Sequence, residues 1–177
     1  MDSRMELFRQ LDFVRMGGMT KRYHTKNVIK ENTVGAHSFG VAWMLWFITN
    51  GECSANLLMA GLAHDLAEHV TGDISSPTKR KFPALAEMVQ TMEHDLLSQH
   101  NVNFEFDLSP EELRSLKLAD CMDGAIYCVG ERELGNISIM PIWTRYCEYI
   151  ESLKPTSREW VVYAAIRLMM REHGGEI

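Results

Sequence analysis

A chain of 177 residues is the size of one ordinary domain and is long enough to enclose a hydrophobic core, so a single domain over residues 1–177 is expected. Its 46% hydrophobic and 24% charged content excludes a disordered or fibrous protein. A net charge of −6 argues against wrapping a nucleic-acid polymer, but not against holding a small anion in a cleft where local positive charge reverses the field.

Hydrophobic spacing is helical along almost the whole chain. From Ser3, an N-cap candidate, Met5, Leu7, Phe8, Leu11 and Val14 repeat at helical steps until Gly17-Gly18. A polar segment, 20 to 32, follows. Residues 33 to 49 form a strongly apolar helix with Val34, Phe39, Val41, Leu45 and Ile48, ending near Asn50-Gly51. A helix capped by Ser54 is expected to run unbroken to about residue 69, where Thr71-Gly72-Asp73 turns the chain. Pro77 and the basic run Lys79-Arg80-Lys81 lead into a helix over 83 to 99. Ser109-Pro110-Glu111-Glu112 reads as a capped, acidic helix start, opening a segment that reaches about residue 130. Two more helices span about 139 to 153 and 157 to 172. No stretch alternates with the period of a strand. The expectation is an all-α bundle of about seven helices.

The four cysteines, Cys53, Cys121, Cys128 and Cys147, lack CxxC spacing and mostly sit in apolar segments, as packed, reduced thiols do. The opening MDSRMELFRQL lacks the basic start and long apolar stretch of a secretory signal, and no run reaches about 18 apolar residues. A cytoplasmic protein with no membrane partner is expected. The four tryptophans, Trp43, Trp46, Trp143 and Trp160, fall in helices and read as core or interface anchors, so a homo-oligomer is expected.

The most informative residues are His64-Asp65, inside an apolar run lined by Leu57, Leu58, Leu62 and Leu66, with Glu68 one turn later. On a continuous helix His64 and Glu68 share a face and Asp65 lies within a turn of both. Burying three such groups is costly unless something satisfies them. A hydrogen-bonded His-Asp pair would do so; so would a metal ion held with ligands from facing helices, for which His37 upstream and Asp120 downstream are the candidates. Two imidazoles and two carboxylates suit one divalent transition ion and neutralise its charge. Together they point to a metal-dependent hydrolase.

The order His37, His64-Asp65, Asp120 resembles the H…HD…D pattern of the HD-domain phosphohydrolase superfamily. The stretch from His64 to Lys79, HDLAEHVTGDISSPTK, is similar to the HD-x-x-E-x-x-x-G-D-x-x-x-P-x-K signature of its bacterial 5′-deoxynucleotidase branch. Arg22-Tyr23 and the segment Glu31 to Ser38 resemble that branch's Arg-Trp and E-x-x-x-x-H-S segments, with Tyr23 replacing the usual Trp. The likeness spans roughly Arg22 to Asp120 and fades beyond.

The resemblance implies an all-helical HD domain holding one divalent ion, Co²⁺, Mn²⁺ or similar, with Zn²⁺, Fe²⁺ or Mg²⁺ as other occupants, through His37, His64, Asp65 and Asp120. Glu68 would assist proton transfer and Asp73 would sit near the sugar or leaving oxygen. Arg22 and Lys79 would grip phosphate, Ser76 and Pro77 would shape the substrate loop, and Tyr23 would stack on the base. The implied substrate is a small deoxynucleotide. Two reactions fit: release of phosphate from a monophosphate, or release of tripolyphosphate from dATP or another triphosphate, as in compact phage-encoded HD enzymes that act in the host cytoplasm. A non-catalytic metal- or nucleotide-binding regulator is the alternative of another class.

Overall fold

The computed structural model describes residues 3–174. Helix α1 (Ser3–Gly18) leads through a two-stranded antiparallel hairpin, β1 (Lys21–Arg22) with β2 (Asn32–Thr33), into α2 (Val34–Ile48) and α3 (Ala55–Ala63). Two short helices, α4 (Glu68–Thr71) and α5 (Ser76–Lys81), precede α6 (Pro83–Gln99), α7 (Pro110–Glu133), α8 (Met140–Ser152) and α9 (Ser157–Gly174). The bundle is all-α as expected, and each expected helix except the one over 54 to 69 runs close to its expected span. The hairpin is an addition that periodicity could not announce, because strands of two residues are too short to alternate.

Helix α7 is the axis, packing against α2, α8 and α9. Leu118, Met122, Ala125 and Cys128 of α7 meet Val41 and Leu45 of α2, Ile150 of α8 and Tyr163 of α9, all fully buried. Its start is set by a complete capping box: the Glu112 backbone N–H donates to Ser109 Oγ, and the Ser109 N–H donates to the Glu112 carboxylate. A smaller cluster of Phe13, Val34, Ala63, Leu66, Ala67 and Leu97 joins α1 to the lower end of α2 and to α6.

One sequence expectation is corrected. The helix expected over 54 to 69 breaks: α3 ends at Ala63, and residues 64–67 form turns, with Leu66 N–H bonded to Ala63 O and Glu68 N–H to Asp65 O, three residues back instead of four. Two histidines satisfy carbonyls at this break, His64 Nδ1 donating to Gly61 O and His69 Nδ1 to Leu66 O. On α1 the apolar stripe Met5, Leu7, Phe8, Leu11, Val14 points outward, and the residues it buries are Phe13 and Gly17.

The segment between β1 and β2 is strapped to α7. Glu131, 1% exposed, accepts hydrogen bonds from the backbone N–H groups of Ile29 (2.8 Å) and Lys30 (2.7 Å) and from Asn136 Nδ2 (2.6 Å). Tyr127 Oη donates to Lys30 O. Burial opposes ionisation of Glu131, but these donors hold its carboxyl below the ordinary glutamate value of 4.5. A depressed folded-state pKa means that this stabilisation is complete above about pH 4.5 and drains away as pH falls through the lower value. Glu131→Ala strands the two backbone donors and should cost about 3 kcal/mol, or roughly 6 to 12 °C in melting temperature. A thermal melt checks this, and a shift under about 2 °C would show that water replaces the carboxylate.

Candidate metal centre and substrate cavity

Three elements bring their polar groups to one point. His37 projects from the first turn of α2, Asp120 from the middle of α7, and His64 and Asp65 from the break between α3 and α4. His37 Nε2 lies 3.1 Å from Asp120 Oδ1 and 3.7 Å from Asp65 Oδ2; His64 Nε2 lies 3.4 Å from Asp65 Oδ2. Ligand atoms of His37, His64 and Asp120 all fall within 4.8 Å of one another. The break in the helix serves this convergence, since a tightened turn swings His64 and Asp65 inward together.

The imidazole tautomers follow from the outer nitrogens. His37 Nδ1 donates to Asp123 Oδ2 at 2.7 Å, and His64 Nδ1 donates to Gly61 O at 3.0 Å. With each Nδ1 committed to an outward hydrogen bond, each Nε2 is aimed into the cluster, and in the neutral imidazole it is the atom that carries the lone pair. Neither buried Nε2 has a hydrogen-bond partner among the described residues, and neither has Glu68 Oε2. Buried imidazole nitrogens flanked by carboxylates call for positive charge between them, a proton on His37 in the metal-free chain or a metal ion in its place, so the donor set fits one divalent ion. An outer-shell carboxylate on a histidine is the usual means of orienting such a ligand.

The field at this point is strongly negative. Burial and Arg22 both oppose protonation of His37, yet the carboxylates of Asp120 and Asp123 push its pKa up to about 9. Glu68 is pushed up to about 9 by burial and by the charges of Asp65 and Asp73. Asp65 and Asp120 stay below the ordinary range although burial works against them, because His64, His37 and Arg22 favour their anions. A cation here would return Glu68 toward its ionised form.

Arg22, largely buried, pairs through Nη1 with Asp65 Oδ2, and its Nη2 is 4.0 Å from Asp120 Oδ1. Asp65 thus faces both the histidines and the guanidinium. The cluster opens into a cavity of about 360 Å³, within the range of small-molecule sites. Arg22, Tyr23, Asp65, Glu68, Asp73, Ser76, Pro77, Lys79 and Asp120 line it, while His37 lies beneath, fully buried. Ser76 and Pro77 are the first two residues of α5, and Lys79 sits one turn on, 3.9 Å from Glu93. Asp73 accepts a hydrogen bond from the Tyr23 backbone N–H at 3.2 Å.

Sequence reasoning passed over Asp123, Lys117 and the α8 residues Ile142, Arg145, Tyr146 and Tyr149, all but Asp123 on the cavity wall. Asp123 and Lys117 stand three residues to either side of Asp120, a face relation that could have been read. Nothing local in the sequence relates Tyr146 to Tyr23.

Room for Asp123 depends on Gly40, where a Cβ would lie 1.8 Å from Asp123 Oδ1. Gly40→Ala must therefore displace that carboxylate from His37 while improving the helix propensity of α2. Metal affinity should fall about 10- to 100-fold with the fold retained, as read by metal titration and circular dichroism. Affinity within twofold of wild type would mean that Asp123 does not orient His37.

Comparison with known proteins follows the same outline. A 5′-deoxynucleotidase of Photobacterium profundum is 26% identical, covering 67% of this chain and 72% of that protein. A 5′-deoxynucleotidase of Vibrio atlanticus is 25% identical, covering 80% and 84%. In structure, the chain is similar to an HD-domain phosphohydrolase from Listeria innocua, with a TM-score of 0.74 at 19% identity over 95% of this chain and 91% of that one. A Pyrococcus horikoshii protein aligns with a TM-score of 0.70 at 18% identity, covering 92% and 99%. The family model described as 5′-deoxynucleotidase YfbR-like matches residues 11–165, which takes in the hairpin, the histidine and aspartate cluster and α8, and the chain belongs to that family of phosphohydrolase enzymes.

Proposed function

We propose that the protein is a divalent-metal-dependent 5′-deoxynucleotidase, converting a deoxynucleoside monophosphate to deoxynucleoside and phosphate. The observation that carries this reading is the pair of orphaned imidazole nitrogens beside Asp120, at the inner end of a cavity that also holds Glu68, Arg22 and Lys79. His37, His64, Asp65 and Asp120 would hold the ion, with Co²⁺ and Mn²⁺ first among candidates and Zn²⁺, Fe²⁺ or Mg²⁺ as others. When bound, such an ion acidifies a water and withdraws charge from a phosphoryl oxygen.

The chain's own groups do the rest. Arg22 and Lys79 draw the phosphate in, the first as a planar fork and the second as a point charge. Glu68 takes the proton from the attacking water as its oxygen bonds to phosphorus and returns it to the sugar 5′-oxygen as that bond breaks, so the deoxynucleoside leaves as the alcohol. Asp73, held by the Tyr23 backbone, faces the departing oxygen, while Ser76 and Pro77 shape the loop around the sugar.

A second reading is favoured by one observation. Lys26, Arg80, Lys117 and Arg145 line the cavity in addition to Arg22 and Lys79, more positive charge than one phosphate needs. The same α-phosphorus attack on dATP or another triphosphate would release tripolyphosphate. Incubation with Co²⁺ or Mn²⁺ and each deoxynucleoside mono- and triphosphate, with products separated by chromatography, decides between them. Phosphate plus nucleoside from monophosphates supports the nucleotidase; tripolyphosphate with slow monophosphates supports the second reading; no turnover at all leaves a binding regulator.

We further place the enzyme in the cytoplasm as a homo-oligomer. All four cysteines are free thiols, and no described helix is long and apolar enough to cross a membrane. Helix α2 carries no Asp, Glu, Lys or Arg, yet Phe39, Trp43 and Phe47 form an exposed ladder on its outer face, with ring centroids 6.5 and 5.8 Å apart. A helix apolar on every side is one buried on every side. Light scattering on the purified protein should show a mass above that of one chain.

A further inference from the structure

Helix α8 has no part in the chemistry described so far, yet it forms a wall of the cavity. Ile142, Arg145, Tyr146 and Tyr149 fall at helical intervals of three and four and all line it, while Trp143 and Ile150, on another side of α8, are buried in the core. We propose that the α8 face made by Ile142, Tyr146 and Tyr149, with Arg145 at its rim, is the nucleobase subsite; this rests on the reading that the cavity takes a nucleotide.

The division of the cavity by chemistry supports the placement. Its buried ion cluster, Asp65, Asp120, Glu68 and Arg22, marks the end where a phosphoryl group must bind, while the other cations of the lining, Arg80 and Arg145 among them, are spread along the walls. A base joined to that phosphate through a sugar must then lie farther along, where Ile142, Tyr146 and Tyr149 offer apolar and aromatic surface bordered by Arg80 and Arg145. Flat aromatic surface is what holds a base without depending on its identity.

Tyr23, the residue expected to stack on the base, is already engaged. Its ring lies parallel to that of Tyr127 at 4.6 Å and 11°, and its hydroxyl is 2.7 Å from that of Tyr146. Tyr146 is in turn locked by Gly124, where a Cβ would come within 2.3 Å of its ring. Tyr127, Tyr23 and Tyr146 thus form one fixed aromatic wall, with each ring's position determined by the next. Tyr149, one turn after Tyr146, has no stacked ring among the described residues and lines both this cavity and a shallower depression shared with Arg80, Arg145, Glu148 and Ser152. Its ring is the free platform, and Arg145 and Glu148 offer donors and an acceptor at the base edge.

The test compares dAMP, dGMP, TMP and dCMP with 2-deoxyribose 5-phosphate, which keeps the sugar and phosphate but has no base. In the metal-loaded enzyme, Tyr149→Ala should raise KM for the nucleotides by about 5- to 100-fold and leave the constants for deoxyribose phosphate within twofold; Tyr149→Phe should restore the nucleotide values. Equal losses on both kinds of substrate, unchanged nucleotide constants, or a wild-type enzyme that binds deoxyribose phosphate as tightly as dAMP would each overturn the assignment. Calorimetric binding of the same compounds needs no turnover. An inactive protein would thus sink the hydrolase reading while the difference between dAMP and deoxyribose phosphate still decides the subsite.

Discussion

Glu68→Gln protein should bind as much divalent metal as the wild type and turn over almost nothing. Glu68 opens α4 with its carboxyl buried, and its Oε2 has no partner among the described residues, so it is placed to exchange a proton and not to complete the His37, His64, Asp120 group. Loss of a positioned proton acceptor costs about 10² to 10⁴ in rate. The variant also has a clean control. Without metal the Glu68 pKa is raised to about 9, above its unfolded value, so at pH 7 the folded chain must keep protonated a group that the unfolded chain ionises. Glutamine resembles that protonated form and removes the penalty, so the metal-free variant should melt no lower than wild type. Undiminished turnover would remove Glu68 from proton transfer; a lower melting temperature would mean that its carboxylate is a structural partner.

Asp120→Ala should lose the metal itself. Asp120 is the carboxylate nearest His37 Nε2, and it is also within reach of Arg22. Without it two imidazoles and Asp65 remain, and Asp65 is already engaged by the guanidinium. Affinity should fall by more than the roughly 100-fold that marks the upper end for outer-shell partners, and activity should fall below detection. Metal content after dialysis, beside activity with added Mn²⁺, checks both. Chelation of the wild type should reproduce the loss and added metal should reverse it. A variant that retains its ion would move the ligand role elsewhere in the cluster.

How much of this was legible depended on the range over which each signal acts. Capping is local, so Ser109 with Glu112 announced α7, and Pro83 with the following period gave α6 to its last residue. The histidine and aspartate motif is short and chemically unusual, and it led directly to His37, His64 and Asp120. The break after Ala63 was hidden because Leu57, Leu58, Leu62 and Leu66 keep a helical rhythm straight across it. Nothing in that rhythm reports that two polar side chains must turn inward. The exposed stripe on α1 shows the converse limit: periodicity shows that a face is apolar but not what covers it. The α8 wall lay furthest from view, since the hydroxyl contact of Tyr23 with Tyr146 joins residues 123 positions apart.

Helix α7 also serves as a ruler. It carries Asp120 and Asp123 at the cluster, and about 16 Å beyond Asp120, at 1.5 Å per residue, the Glu131 that anchors the segment leaving Tyr23. The span between the ion ligands and the anchor is therefore set by helix rise and not by the length of the intervening chain. Residues added or lost between His24 and Asn27 would alter an exposed bulge and leave that span untouched, whereas one residue inserted in α7 between Cys121 and Val129 would rotate the anchor by about 100° relative to the ligands. Tolerance to length change is thus divided unequally between two segments that face the same cavity.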